Sequence, residues 1–248
     1  MYNSQYVSVI IPALDEEEAI AKVVSSLTAL TNADGSAICD QIIVCDNGSQ
    51  DLTSERARAS GAQVVQQSIP GYGIACLTAM EQLAPQCDIV LFVDGDDSCY
   101  AEQCLPLLAA TSNGSDLAIG SRVLGHIEKH ALTPVQRFGN ALASFLIRCI
   151  WKHQVTDLGP FRAIRKRSLE QIQMADTTFG WTIEMQIKCI QAGLITSEHP
   201  VDSKQRIGVS KISGTVKGSI NAGIGILGMI AKLWWRQRQS AASQLNRH

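Results

Sequence analysis

At 248 residues and 46% hydrophobic, the chain can bury one sizeable core, which bounds it to one α/β domain or two small ones. The formal net charge of -2 conceals an asymmetry: residues 1–202 carry 13 Lys and Arg against 23 Asp and Glu, whereas residues 203–248 carry eight basic residues and no acidic one. The asymmetry suggests that the tail meets an anionic partner, either substrate phosphate or membrane headgroups, with a merely solvated basic tail as the alternative; nucleic acid is not among the expected partners.

Taken from the start, VSVIIPA (7–13) is a continuous apolar run and DEEEAIAKVVSSLTAL (15–30) a helical pattern. QIIVCDNGS (41–49) with DLTSERARAS (51–60) repeats the pair, AQVVQQS (62–68) with GYGIACLTAMEQLA (71–84) repeats it again, and DIVLFVDGDDS (88–98) supplies a fourth strand. This alternation predicts βαβ units around a mostly parallel sheet with helices on both faces, a Rossmann-like α/β architecture. Ligands bind such sheets off the carboxyl ends of the strands, where Asp15 and Glu16, Asp46 and Asn47, and Asp94, Asp96 and Asp97 fall. Beyond residue 115, DLAIGSR (116–122) predicts a strand and GNALASFLIRCIWKH (139–153) an apolar helix ending in cations, with a polar loop between them through His130. TDLGPFRAIRKRSLEQI (156–172), FGWTIEMQIKCIQAG (179–193) and ITSEHPVDSKQRI (195–207) then predict strand, helix, helix and strand. One catalytic domain over 1–212 and a basic, apolar helical tail over 213–248 is the expected division.

The eight cysteines form no CxxC pair and several lie in apolar runs such as QIIVCD, so they read as reduced core thiols. The opening MYNSQYVSVIIPALDEEE has no basic-then-apolar leader, and the cytoplasm is the expected compartment. The run closest to a membrane span, GSINAGIGILGMIA, has 14 uncharged residues between Lys217 and Lys232, short of the roughly 18 to 20 that crossing needs.

The sharpest local signal is LFVDGDDS, where an apolar strand delivers Asp94 and Asp96 around Gly95. Two carboxylates so placed can hold Mg2+ or Mn2+ while the ion grips a diphosphate. An acidic cluster at a strand end is also common in solvated turns, and DNGS makes a good turn with no ligand. Glu16 sits where a first-turn acid of the following helix would, favoured by the helix dipole, as do Asp15, Glu17 and Glu18. Arg165, Lys166 and Arg167, which follow Arg162, suit a solvated helix face rather than a binding site, and Trp181 with Glu184 the core and surface of one helix.

In this order the motifs resemble those of family 2 inverting glycosyltransferases of the GT-A fold, and among them the polyprenyl-phosphate sugar transferases, over roughly residues 5–215. The resemblance implies Pro12, Leu14 and Glu16 near the nucleotide base, Asp46 with Asn47 on base or ribose, and Asp94 with Asp96 on the metal. IGSR and QRFGN imply Arg122 and Arg137 near the phosphates, and TDLGPFRAIRK implies Asp157 and Arg162 beneath the acceptor. QRIGVSK resembles an R-x-x-G-x-S-K stretch, which implies Arg206, Ser210 and Lys211 over the diphosphate or acceptor phosphate. The segment IPGYGIACLTAM departs from similar enzymes in having Tyr72 where a basic residue is frequent.

Such an enzyme needs its diphosphate leaving group neutralised, a task for the metal with Arg122 and Arg206. A phosphate acceptor is already anionic and needs only cations to place it; a sugar hydroxyl needs a carboxylate base, Asp157 or Glu184. The tail, with Trp234 and Trp235 beside Arg236 and Arg238, suits an interfacial helix at a membrane, a helix packed on the core, or a homodimer contact. The competing readings are a soluble family 2 transferase acting on a saccharide or small-molecule hydroxyl, a nucleotidyltransferase, and a non-catalytic sugar-nucleotide-binding module. A dinucleotide oxidoreductase is disfavoured, because no G-x-G-x-x-G follows the first strand.

Overall fold

The computed structural model describes residues 1–208 and 216–245. Its frame begins with β1 (Val7–Ala13), α1 (Ile20–Thr28), β2 (Gln41–Asp46), α2 (Thr53–Ala59), β3 (Gln63–Gln66), α3 (Tyr72–Met80) and β4 (Ile89–Phe92). There follow α4 (Cys104–Ser112), β5 (Leu117–Ser121), α5 (Pro134–Trp151), β6 (Arg162–Arg165), α6 (Lys166–Ile172), α7 (Trp181–Gln191), β7 (Thr196–Pro200) and α8 (Val216–Leu245). Seven strands form one sheet in the order β3-β2-β1-β4-β6-β5-β7. Only β6 runs against its neighbours, pairing antiparallel with β4 and β5, so the sheet is mostly parallel as expected.

Pleating explains why these strands read as unbroken apolar runs. Along β1, Val7, Val9 and Ile11 enter one cluster with Ile20, Val24 and Leu27 of α1, and Ile10 enters another with Ala75, Cys76 and Ala79 of α3. A strand covered on both faces has no polar side to alternate with. A third cluster joins Ala143 and Ile147 of α5, Ile183 and Ile187 of α7, and Met229, Ile230 and Leu233 of α8. The described part of the tail helix therefore packs on the body.

Of the element boundaries that differ from expectation, two have a clear local cause. α1 starts at Ile20, so Asp15, Glu16, Glu17 and Glu18 precede the helix and are not first-turn acids. Their backbone is committed elsewhere: Asp15 adopts φ +50°, and the Glu16 and Glu17 amides donate to Thr53 Oγ1 (2.8 Å) at the start of α2 and to Asp51 Oδ2 (3.1 Å) in the loop before it. α5 begins at Pro134, five residues before the apolar pattern, because Thr133 and Gln136 form a capping box with Pro134 in the first turn.

Candidate active site

Since β1, β2 and β4 are parallel, their carboxyl ends share one rim, with Ala13 level with Asp46 and Ile10 level with Phe92. The first two loops are knitted together there. The Asp15 amide donates to Ser49 Oγ (2.9 Å), and the Gln50 amide donates to Asp15 Oδ1 (2.8 Å). Pro12 is buried within β1 and Leu14 half-buried just past its end. Burial alone would push the Asp46 carboxyl up, but donation from Ser49, Ser54 and Gln66 holds it below the usual carboxylate range. Asn47 is similarly occupied: its amide nitrogen donates to the carbonyls of Gln67 (3.0 Å) and Ile69 (2.7 Å), and its Oδ1 accepts from the Gly71 amide (2.7 Å). This side chain clamps the loop that leads into α3.

That loop delivers Tyr72, whose hydroxyl donates to Asp94 Oδ1 (3.0 Å). Gly71 at φ +151° and Gly73 make the approach feasible, since a Cβ on either would lie 2.3 Å and 2.1 Å from the carbonyl oxygens of Thr177 and Asp176. Desolvation first, and then the neighbouring Asp96 charge, push the Asp94 carboxyl up to about 7. Asp96 Oδ1 accepts from the Ser98 amide (3.0 Å), while its Oδ2 lies 3.2 Å from Arg206 Nη2, which also meets Glu16 Oε1 at 3.0 Å. Arg206 is brought there by a strap: the Lys204 amide donates to the Ser98 carbonyl and the Ile207 amide to the Asp96 carbonyl. Asp97, at φ +59°, holds two ammonium groups at 2.7 Å, Lys22 from α1 and Lys204 from the strap.

Two carboxylates that repel one another, with cations converging from the strap, suit a divalent ion that takes its remaining ligands from diphosphate and water. Among the described residues no group of three or more His, Cys, Asp or Glu forms a protein cage for a metal. The donor set thus matches an ion shared with a phosphorylated ligand.

On the other side of β4, Asp157 is fully buried and grips Arg122 with both oxygens, accepting from the Arg122 amide and Nε (2.8 Å each) and from Nη2 (2.7 Å). Burial opposes ionisation of Asp157, yet the guanidinium holds its carboxyl below the usual range. Glu198 of β7 supports this turn by accepting from the amides of Thr156 (2.9 Å) and Asp157 (3.2 Å). Gly159 leaves space for the pair; a Cβ there would stand 3.3 Å from both Arg122 Nε and Asp157 Oδ2.

The remaining expected residues divide. Arg162 is fully buried in β6, donating to the backbone carbonyls of Gly159 and Thr182, and burial lowers its guanidinium to about 10. Arg165 ends the same strand and donates to the Thr111 carbonyl, so neither arginine lies on a solvated helix face. Glu184 and Trp181 are both core; Glu184 ion-pairs with Lys188 (2.9 Å) and accepts from the Ala175 and Asp176 amides. Arg137 is exposed on α5, and Ser210 and Lys211 lie outside the described residues. Glu198, Lys204 and Lys22 were not foreseen: each lies in a strand, strap or helix with no motif to mark it.

The family model described as "Glycosyl transferase family 2" matches residues 8–173. An uncharacterized glycosyltransferase of Mycobacterium tuberculosis is 32% identical over 217 residues, covering 87% of this chain and 94% of that protein. A dolichyl-phosphate hexose transferase of Haloferax volcanii is 31% identical over 222 residues, covering 88% and 91%. Among solved structures, glucosyl-3-phosphoglycerate synthase from M. tuberculosis, in complex with Mn2+, UDP and phosphoglyceric acid, superposes with TM-score 0.73 at 22% identity, covering 93% of this chain and 79% of that one.

Proposed function

The chain belongs to glycosyl transferase family 2, and from that premise we propose that it moves a hexose, with inversion, from a UDP- or GDP-linked donor to a polyprenyl-phosphate-type acceptor. Residues 1–212 act as the catalytic unit, and 213–248 as a basic, apolar tail whose described helix, α8, packs on it through Met229, Ile230 and Leu233.

The observation that carries the acceptor assignment is the state of the two candidate bases. Asp157 is chelated by Arg122 and Glu184 is buried against Lys188, so neither is free to take a proton from a hydroxyl. A phosphate monoester needs no such base. Its oxygen forms the bond to the anomeric carbon from one face while the bond to the diphosphate oxygen breaks on the other. The dolichyl-phosphate hexose transferase supports the same choice.

Asp94 and Asp96 would hold Mg2+ or Mn2+, which when bound supplies charge neutralisation to the departing diphosphate. Arg206, now on Glu16 and Asp96, exchanges these carboxylates for phosphate oxygens when the donor enters. Arg122 remains as a fixed cation oriented by Asp157. Tyr72 orients Asp94, and Asn47 holds the loop that carries Tyr72.

The test is titration of UDP and GDP with Mn2+ into wild type and Asp96→Ala, followed by transfer assays. Metal-dependent nucleotide affinity should drop on the order of a hundredfold or more in the variant, and equal affinity in both proteins removes the metal role. Product on polyprenyl phosphate and none on phosphoglyceric acid supports the lipid acceptor. The reverse pattern hands the site to a second reading, a soluble transferase for a small phosphorylated hydroxyl compound, which the glucosyl-3-phosphoglycerate synthase fold favours.

A further inference from the structure

α5 and α8 each carry two apolar faces. Ala143 and Ile147 of α5 and Met229, Ile230 and Leu233 of α8 meet in the third core cluster, and the Trp151 indole donates to Gln237 Oε1 (2.6 Å) to hold the helices together. About half a turn away from those residues, Phe138, Ala141, Phe145 and Cys149 recur along α5, and Ile224, Leu227, Ala231 and Trp235 along α8, all exposed. Phe138 is 70% exposed, Ile224 66% and Trp235 60%. A helix apolar on opposite sides is expected to be covered on both.

The charges around these stripes select the cover. Arg148 stacks over the Phe145 ring at 5.6 Å and Arg238 over the Trp234 ring at 4.3 Å, and Lys152 and Lys232 are exposed nearby in sequence. No acidic residue occurs in residues 129–156 or 203–248. A second copy of this face would set cation against cation, because a two-fold interface brings like patches together. An anionic bilayer instead offers opposite charge at the headgroups and apolar depth beneath, with the aromatic and cationic pairs at the boundary. No described helix is long and apolar enough to cross a membrane, so the contact is with the surface.

The face also borders the site. Asn140, on α5 between the docked and outward stripes, donates to the Thr156 carbonyl (3.0 Å) and accepts from the Leu158 amide (2.9 Å), on either side of Asp157. We infer that the outward stripes of α5 and α8 form a docking surface for an anionic lipid bilayer, which places the Asp157–Arg122 side of the rim next to the membrane. The proposal rests on the lipid-phosphate reading only for its purpose, not for its existence.

Co-sedimentation of the full chain with vesicles of phosphatidylcholine, alone or mixed with phosphatidylglycerol, tests it in the absence of sugar nucleotide and polyprenyl phosphate. Wild type should bind the anionic vesicles on the order of tenfold more tightly than the neutral ones. The triple variant Phe138→Ser, Phe145→Ser, Trp235→Ser should lose roughly tenfold or more in that binding, and Arg148→Glu with Lys232→Glu should abolish the preference for the anionic lipid. Titration with UDP and Mn2+ should be unchanged in both, which separates this surface from the transferase site; the charge variant keeps the test open if the triple variant fails to fold. Wild type remaining in the supernatant, or both variants binding as wild type does, overturns the proposal. So does a wild-type dimer that the triple variant converts to monomer without any vesicle binding, an outcome that assigns the face to a second copy.

Discussion

The strand-end rim and the α5–α8 flank solve opposite problems. At the rim, the polar side chains are engaged both by sequence neighbours and by remote segments: Asp46 by Ser49, Ser54 and Gln66, Asp96 by Ser98 and Arg206, Asp157 by Arg122. At the flank, Phe138, Phe145, Ile224 and Trp235 project with nothing described over them. Engaged polar groups at the rim keep charges in place for a ligand to exchange with, the role proposed for Arg206. Uncovered apolar groups at the flank do no work for the fold, so their cost in exposure points to a partner. Rim variants should therefore cost stability or ligand affinity, and outward flank variants neither.

The largest expected effect lies at the buried ion pair. Arg122→Ala leaves the Asp157 carboxylate buried and unpaired, and should cost about 3–5 kcal/mol in urea unfolding at neutral pH. The pair also has a pH signature. Asp157 is held below its unfolded value of about 3.9, so its stabilisation is fully present above that pH and is lost as pH falls towards the folded value. Asp157→Asn should flatten that acid limb, and an unchanged limb shows that the carboxylate does not set it.

The flank sharpens the contrast within one helix. Leu233→Ala, on the docked face of α8, should lower stability by about 2–5 kcal/mol, and Trp235→Ser, two residues on, should stay within about 0.5 kcal/mol of wild type in the same melt. Similar losses at both would mean that the outward face is already covered by the fold.

A smaller loss than at Arg122 or Leu233 is expected at Tyr72→Phe. The ring stays and only the 3.0 Å donation to Asp94 is lost, about 1 kcal/mol, read as a several-fold weaker Mn2+-dependent affinity for UDP with an unchanged melting temperature. An unchanged affinity would leave Tyr72 a packing residue.

What the sequence determined by itself is the frame. Unbroken Val and Ile runs such as VSVIIPA alternating with helical patterns require a two-sided parallel sheet, and parallel strands put every strand end that carries Asp15, Asp46 and Asp94 on one edge. Periodicity and turn chemistry are local, so they survive in a one-dimensional reading. Tertiary structure alone decided what those residues do. That Asn47 clamps a loop, that Arg162 donates to Thr182, that Glu198 props the Asp157 turn, and that Arg206 reaches across to Glu16 depend on contacts between residues 20 to 190 positions apart. A side chain's role follows from its burial and its partners, and pairings over such distances leave no period in the sequence.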